Sequence, residues 1–209
     1  MRIIHPSFEI LAMPDCAEIL RLIEAAGRTC YKSEARVTPD SALEFARRII
    51  ASGHLSVIEH VSASVRLVCD RGITHELVRH RLASFPQEST RYCNYTNGRF
   101  GGEITVIRPF FWNEDSTKYE VWKRAMEFAE NSYMALIEAG ASAQEARSVL
   151  PNSLKTEIVI TANMREWLLI FKQRTSKAAH PQMSQIMTPL LAEFKRRVPV
   201  IFDSVRPAE

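Results

Sequence analysis

The chain has 209 residues, of which 46% are hydrophobic and 24% are charged, and its net charge is +3. This length and apolar fraction are enough to bury a core as a single domain over residues 1–209, and they exclude an intrinsically disordered chain. So small an excess of positive charge does not by itself indicate a nucleic-acid-binding protein.

The first third of the chain predicts two strands and one helix. Residues 2–12 are expected to form a strand, and residues 61–69 alternate apolar and polar side chains as a half-buried strand does. Between them, Thr38-Pro39-Asp40 predicts a helix start with Pro39 at the first helical position, and Gly53 follows the helix end. His54 is therefore expected just beyond a helix.

The middle of the chain predicts a short helix followed by an extended segment. Residues 73–82 place Ile73, Leu77 and Val78 on or near one apolar face of a helix. In the extended segment that follows, Ser89 and Arg91 are two residues apart, so their side chains should lie on the same face.

The second half predicts mainly helices. A long helix should run from about Ser116 to Ala139, and Ser142 with Glu145 predicts a capping box at the start of a short helix that contains Arg147. Residues 154–162 alternate as a strand, and Asn163 with Glu166 predicts the cap of a helix that carries Arg165 and Arg174. A final helix over 181–202 should break or kink at Pro189. Together these elements predict an α+β fold, with a mixed sheet flanked by helices and a smaller helical subregion.

The compartment follows from what the sequence lacks. Its N-terminal residues have no signal-peptide core, and no apolar stretch is long enough to cross a bilayer, so we expect a cytoplasmic protein without membrane contact. Four cysteines lie apart, without a C-x-x-C pair or histidines at metal-ligand spacing, so we expect reduced thiols and no metal site.

Residues 79–92 concentrate the candidate chemistry. Arg79, His80, Arg81 and Arg91 bring three guanidiniums and an imidazole into one short passage, and a guanidinium fork matches phosphate or carboxylate oxygens two at a time. The alternative is a solvated face in which the arginines pair with glutamates at positions 76 and 88. The chain has no G-x-G-x-x-G and no P-loop, so any phosphate would be bound by cationic side chains.

Four ordered motifs identify a family resemblance. R-H-R at 79–81, followed by seven residues and then S-x-R-Y at 89–92, resembles the defining motif of the flavin-dependent thymidylate synthases. The segments 53–60 (GHLSVIEH), 145–151 (EARSVLP) and 163–165 (NMR) are similar to three further elements of that family.

The resemblance implies a fold, a reaction and a set of ligands. The expected activity is reductive methylation of dUMP to dTMP, with 5,10-methylenetetrahydrofolate as one-carbon donor, FAD as cofactor and NADPH as reductant. Expected partners are these small molecules only, without nucleic acid, in a homotetramer whose sites form between subunits. The FAD set would be Ser56, Glu59, Arg79, His80, Arg81, Asn163 and Arg165, and His54 would lie on the folate side.

The substrate set follows in the same way. The resemblance implies that dUMP is bound by Glu76, Arg79, Gln87, Ser89, Arg91, Arg147 and Arg174. Arg91 would bind the phosphate, and Arg174 would donate to a uracil carbonyl on which negative charge develops. Ser89 has no activating base in the motif, so positioning the substrate is favoured over nucleophilic attack.

The sequence departs from the family pattern at three places. Glu76 stands where the family has glutamine, Pro86-Gln87 where many members have Asn-Glu, and residues 175–183 replace its H-A-Q-W-E segment, which leaves the role of His180 open. Two alternatives follow: a family member that binds flavin without turnover, and an RNA- or nucleotide-binding module without catalysis.

Overall fold

The structure is a computed structural model that describes residues 1–207, apart from the side chain of Arg99. About 51% of it is helical and 17% is strand, which confirms the α+β class. The helices are α1 Cys16–Tyr31, α2 Ser41–Ala51, α3 Arg71–Leu77, α4 Thr117–Glu138, α5 Ala143–Ala146, α6 Met164–Arg174, α7 Pro181–Arg197 and α8 Pro199–Phe202. The strands are β1 Arg2–Ile4, β2 Ser7–Ala12, β3 Ser62–Asp70, β4 Ala83–Ser84, β5 Thr105–Ile107 and β6 Lys155–Asn163.

The strands lie in two sheets. β1 and β5 pair in parallel, with Arg2 opposite Thr105, and the other four strands follow the order β2-β3-β6-β4. β4 runs antiparallel to β6, with Ala83 opposite Ala162. The predicted alternation in β3 is confirmed, since the apolar side chains from Val61 to Cys69 are buried and Arg66 is exposed.

The chain divides into two compact units. The first comprises residues 1–7, 67–79 and 85–159, and the second comprises residues 8–66, 80–84 and 160 onward. In the first unit, Tyr95, Tyr119, Trp122 and Tyr133 are buried in an aromatic-rich core. In the second, α6, α7 and α8 bury a cluster of four rings, Trp167, Phe171, Phe194 and Phe202, with centroids 5.0–5.8 Å apart. The expectation of a single domain remains a prediction.

Most predicted helix termini are confirmed. α4 starts after the cap Ser116 and ends before Gly140, which has a φ of 94°. The capping box of Ser142 and Glu145 is present. The side chain of Asn163 accepts the backbone N–H of Glu166 at 2.9 Å, so α6 begins where the sequence predicts.

Helix α1 is a feature that the sequence analysis did not predict. Asp15 caps it by accepting the N–H of Glu18 at 2.8 Å, and Ile19, Leu20 and Ile23 are buried along one stripe. This stripe packs against α2 and defines one side of the second unit. The local signals for this helix, an Asp cap and an apolar stripe at helical spacing, are present in the sequence and were overlooked.

Besides the end of α3, which is described below, four boundary predictions are wrong. Residues 2–12 form two strands separated by His5-Pro6. Pro39 lies in a turn two residues before α2 and is not its first residue. Arg147 follows α5 and is not inside it. α7 continues through Pro189 because its apolar face is buried, and the chain breaks instead at Val198, whose φ of −138° is non-helical. A following proline, Pro199, disfavours the helical conformation there.

Candidate active site

The R-H-R motif lies in a turn after α3. The helix ends at Leu77, so the predicted extension to residue 82 is wrong, and Val78 is exposed instead of packing on the apolar face. In this turn Arg79 and Arg81 are exposed, whereas His80 is buried. The two guanidiniums are therefore available to a ligand, and the imidazole belongs to the interior.

His80 connects two residues of helix α6. Its Nε2 accepts a hydrogen bond from Nε of Arg174 at 3.1 Å, and its Nδ1 lies 3.2 Å from Oε1 of Glu166. Since a guanidinium only donates, Nε2 must be the acceptor and Nδ1 must carry the proton that it donates to Glu166. Burial and the adjacent Arg174 charge lower the pKa of His80, and the opposing effect of Glu166 does not restore it. The neutral imidazole therefore fixes one edge of the Arg174 guanidinium.

Glu166 is the functional candidate that the sequence analysis missed. Its position three residues after Asn163 predicts a capping role, but its buried carboxylate meets His80, which is 86 residues away in the chain. A local motif carries no signal for a contact of that separation. Arg174, which the family resemblance implies, lies at the C-terminal end of α6.

Residues 89–91 form a turn, so the prediction of an extended segment is wrong. The carbonyl oxygen of Ser89 accepts the N–H groups of Tyr92 at 3.2 Å and Cys93 at 2.9 Å, and the Ser89 hydroxyl accepts the N–H of Arg91 at 3.3 Å. The turn is favoured over an extended segment because these local bonds satisfy three backbone N–H donors. Arg91 is exposed on this turn.

Arg147 comes to the same turn. Its Nη1 lies 3.5 Å from the hydroxyl of Thr90, the residue between Ser89 and Arg91. The sequence motifs that contribute these residues are 57 positions apart. The first unit therefore gathers three members of the predicted dUMP set, Ser89, Arg91 and Arg147, around one turn.

Glu88 and Gln87 are both committed to partners inside the first unit. Glu88 accepts from Nζ of Lys155 at 2.8 Å and from the hydroxyl of Tyr95 at 3.1 Å. Burial would lower the pKa of Lys155, but its bonds to Glu157 and Glu88 outweigh burial and raise it. The amide of Gln87 donates to the hydroxyls of Thr74 at 3.1 Å and Thr156 at 3.2 Å, so it links α3 to β6.

The alternative of a self-paired arginine face is wrong. Within residues 1–207, no ion pair engages the side chain of Arg79, Arg81 or Arg91, and Glu88 pairs with Lys155. Glu76 lies half-buried on α3, one turn before Arg79. Three cations are thus available for an anionic ligand at positions where the sequence predicts phosphate recognition.

A large cleft in the second unit contains part of the predicted FAD set. It encloses about 960 Å³ and is lined by Glu59, Asn163 and Arg165, together with apolar side chains such as Leu82 and Leu169. The Arg165 guanidinium pairs with the Glu59 carboxylate across it. Ligand clefts of this size with apolar walls and a few polar groups suit a large cofactor, so the residues present fit a flavin.

Two further predicted residues, Ser56 and His54, lie in or next to one short helix. Ser56 is exposed in a 3₁₀ helix, Leu55–His60, that also carries Glu59. His54 immediately precedes this helix and is exposed. Its backbone N–H bonds to the carbonyl of Ile49 at 3.1 Å while Gly53, with a φ of 77°, bonds to Ile50 at 2.9 Å. This Schellman motif fixes where His54 leaves α2.

No helix within residues 1–207 is both long enough and apolar enough to cross a membrane.

Comparison with known proteins identifies the family. A family model described as thymidylate synthase complementing protein matches residues 14–200. The flavin-dependent thymidylate synthase of Corynebacterium efficiens is 34% identical over 87% of this chain and 77% of its own length. The enzyme of the same name from Pyrococcus furiosus is 32% identical over 89% of this chain and 74% of its own length.

A solved structure supports the fold. The UMP/dUMP methylase PolB of Streptomyces cacaoi, bound with 5-Br dUMP, superimposes with a TM-score of 0.78. The alignment covers 97% of this chain and 96% of the PolB chain at 21% identity, which establishes a shared fold. With the family match over most of the sequence, it follows that this chain belongs to the flavin-dependent thymidylate synthase family.

Proposed function

We propose that this protein is a thymidylate synthase that methylates dUMP to dTMP with a bound flavin, FAD. The observation that carries the proposal is the 960 Å³ cleft, which is lined both by Glu59 of the 53–60 motif and by Asn163 and Arg165 of the 163–165 motif. The relatives named for the same activity, at 30–34% identity, support it.

The flavin would be held mainly by side chains. Arg165 and Asn163 at the start of α6 supply cationic and amide donors to the cleft, and Arg79 and Arg81 supply exposed guanidiniums for the phosphates. Ser56 adds a hydroxyl, and His80 supports the site from the interior. When bound, the flavin would supply the carriage and reduction of the one-carbon unit.

The substrate would be held by the cations of the turn at residues 89–91. Arg91 and Arg147 would bind the dUMP phosphate, and the Ser89 hydroxyl would position the nucleotide, because no base lies in its motif to make it a nucleophile. Arg79, Glu76 and Gln87 complete the proposed set. The turn leaves Arg91 exposed for this purpose.

Arg174 is the proposed electrostatic catalyst. Its Nε donates to His80, which orients the guanidinium, and its N–H groups would donate to a uracil carbonyl. Donors fixed before the reaction stabilise charge that develops in the transition state at no further ordering cost. His80 and Glu166 would therefore act through Arg174 as positioning residues.

The co-substrates and the assembly complete the proposal. Methylenetetrahydrofolate would donate the one-carbon unit from the side of His54, and NADPH would reduce the flavin. We infer a cytoplasmic homotetramer with sites formed between subunits. Light scattering of the purified protein measures the assembly directly, and a monomer would contradict that part.

The decisive experiment measures colour and product together. The purified protein should show the visible absorption of a flavin, which should change on adding dUMP, and it should form dTMP when methylenetetrahydrofolate and NADPH are present. A yellow protein without dTMP would identify a member that has lost turnover. A colourless protein whose RNA affinity falls steeply with salt would replace the proposal with an RNA-binding module.

A further inference from the structure

A second cleft in the second unit has a strongly basic lining. It encloses about 490 Å³ between the C-terminal ends of α1 and α2. Its lining includes four cations, Arg28, Lys32, Arg36 and Arg48, as well as His54. None of its described lining residues is acidic. A concave surface of one sign concentrates ligands of the opposite charge.

Three of the four cations are not neutralised by the protein. Arg28 is buried and bonded to Glu24 through Nε at 2.8 Å and Nη2 at 2.6 Å, so its charge is balanced. Among the described residues, no carboxylate pairs with Lys32, Arg36 or Arg48. The cleft therefore presents about three uncompensated positive charges to a ligand.

The guanidiniums are ordered by an aromatic ring. Arg28 lies with its guanidinium carbon 4.9 Å from the centroid of Phe45, and Arg48 lies 5.6 Å from the same centroid. Such cation–π contacts hold a side chain in place without using its N–H donors. Arg48 therefore keeps its donors for a ligand.

Lys32 has a backbone conformation that residues other than glycine rarely adopt. Its φ of 49° is left-handed, and within residues 1–207 no other non-glycine residue has a positive φ. Its N–H bonds to Thr29 at 3.4 Å, and that of Ser33 bonds to Arg28 at 3.1 Å, so the residue closes α1 as a glycine usually does. A lysine at this position supplies a cation to the cleft at a cost in backbone strain.

The basic cleft adjoins the proposed flavin residues along the chain. His54 lines it, and the next residue, Leu55, lines the 960 Å³ cleft. The 3₁₀ helix that begins there carries Ser56 and Glu59 of the proposed FAD set. The two clefts are therefore lined by residues that are adjacent in the chain at the start of this helix.

We propose that this cleft binds the anionic end of a co-substrate, an inference that rests on the proposed function. Both co-substrates carry clustered oxygen anions far from the reacting ring: glutamate carboxylates in the folate and phosphates in NADPH. Lys32, Arg36 and Arg48 match that shared chemistry, and the 490 Å³ volume is large enough for such a group.

The test uses the purified flavin-loaded protein and calorimetric titration. Lys32→Gly, Arg36→Gln and Arg48→Gln each remove one cation, and Arg47→Gln is the control, because Arg47 neighbours Arg48 on α2 but lies outside the cleft. The ligands are folate monoglutamate and triglutamate, and NADP⁺ and NAD⁺. Thermal unfolding of each variant reports folding, and Lys32→Gly should unfold no lower than the wild type because glycine accepts its φ.

We expect each cleft variant to bind one of the two highly charged ligands, folate triglutamate or NADP⁺, roughly tenfold more weakly than the wild type. The control should change by less than about twofold. Loss of the preference for triglutamate over monoglutamate identifies folate carboxylates, and loss of the preference for NADP⁺ over NAD⁺ identifies phosphate. Equal affinities in cleft variants and control would overturn the inference while the yellow, dTMP-forming wild type still upheld the proposed function. A colourless wild type would overturn both.

Discussion

The Nε of Arg174 donates a hydrogen bond of 3.1 Å to Nε2 of His80, which joins the end of α6 to the centre of the R-H-R motif. The bond exists only while His80 is neutral, because a protonated imidazole has no acceptor nitrogen. The protonation state of one buried histidine therefore determines whether this bond to Arg174 forms.

Acidification should destabilise the protein through His80. Its pKa lies below the ordinary value of 6.5 when folded, so the unfolded chain binds more protons as the pH falls below about 6.5. Stability contributed by the neutral ring is therefore present above pH 6.5 and declines as the pH drops towards the folded pKa, by at most about 1.4 kcal/mol per pH unit. Urea unfolding between pH 7.5 and 5.5 measures this slope.

His80→Gln should flatten that pH dependence, because an amide takes up no proton. His75→Gln is the matched control, since His75 is exposed on α3. An unchanged slope in His80→Gln would show that another group titrates.

Arg91→Ala should weaken dUMP without releasing the flavin. Removing one charge-assisted phosphate contact costs about 1.5–3 kcal/mol, or roughly 10- to 150-fold in affinity. Arg124→Ala, on the exposed face of α4 in the same unit, is the control for loss of a positive charge. Titration with dUMP and the visible absorption are the two readouts, and an equal loss of both ligands would mean that the role of Arg91 is misassigned.

Gly27→Ala should destabilise the packing of α1 on α2. An added Cβ would lie 2.6 Å from Cε1 of Phe45, so the ring would have to move. Overpacking costs about 1–3 kcal/mol and exceeds the gain of about 1 kcal/mol from replacing a helical glycine. Thermal unfolding should show a lower midpoint. In a Phe45→Leu background the ring is gone, so the same change should stabilise; destabilisation there would exclude the clash as the cause.

Gly53→Ala should disturb the path of the chain at His54. The φ of 77° at Gly53 disfavours alanine by about 1 kcal/mol, although nothing lies within 4 Å of the added Cβ. Strain at this turn should raise the KM for methylenetetrahydrofolate. Gly140→Ala is the control, because its φ of 94° imposes a similar cost at the end of α4, away from the folate-side residue. Equal KM values in the two variants would contradict the placement of His54 on the folate side.

Local sequence signals predicted the elements that have a capping residue or a strict apolar–polar alternation. α4, α5 and α6 begin at a Ser or Asn cap and β3 alternates strictly, so hydrogen bonds and burial within a few residues suffice to define them. The predictions fail where longer-range packing decides. α7 retains Pro189 because its apolar face is buried.

The candidate site divides in the same way. The residue types at 79–91, 147, 163–165 and 174 determined by themselves that the protein would offer fixed positive charge to anionic ligands, because guanidiniums remain charged in any fold. Only the tertiary structure decided that Glu166 supports His80, that Arg147 reaches the turn at Thr90, and that Lys32, Arg36 and Arg48 share one cleft. These contacts join residues far apart in the chain, and their energies depend on burial and distance, which no local pattern encodes.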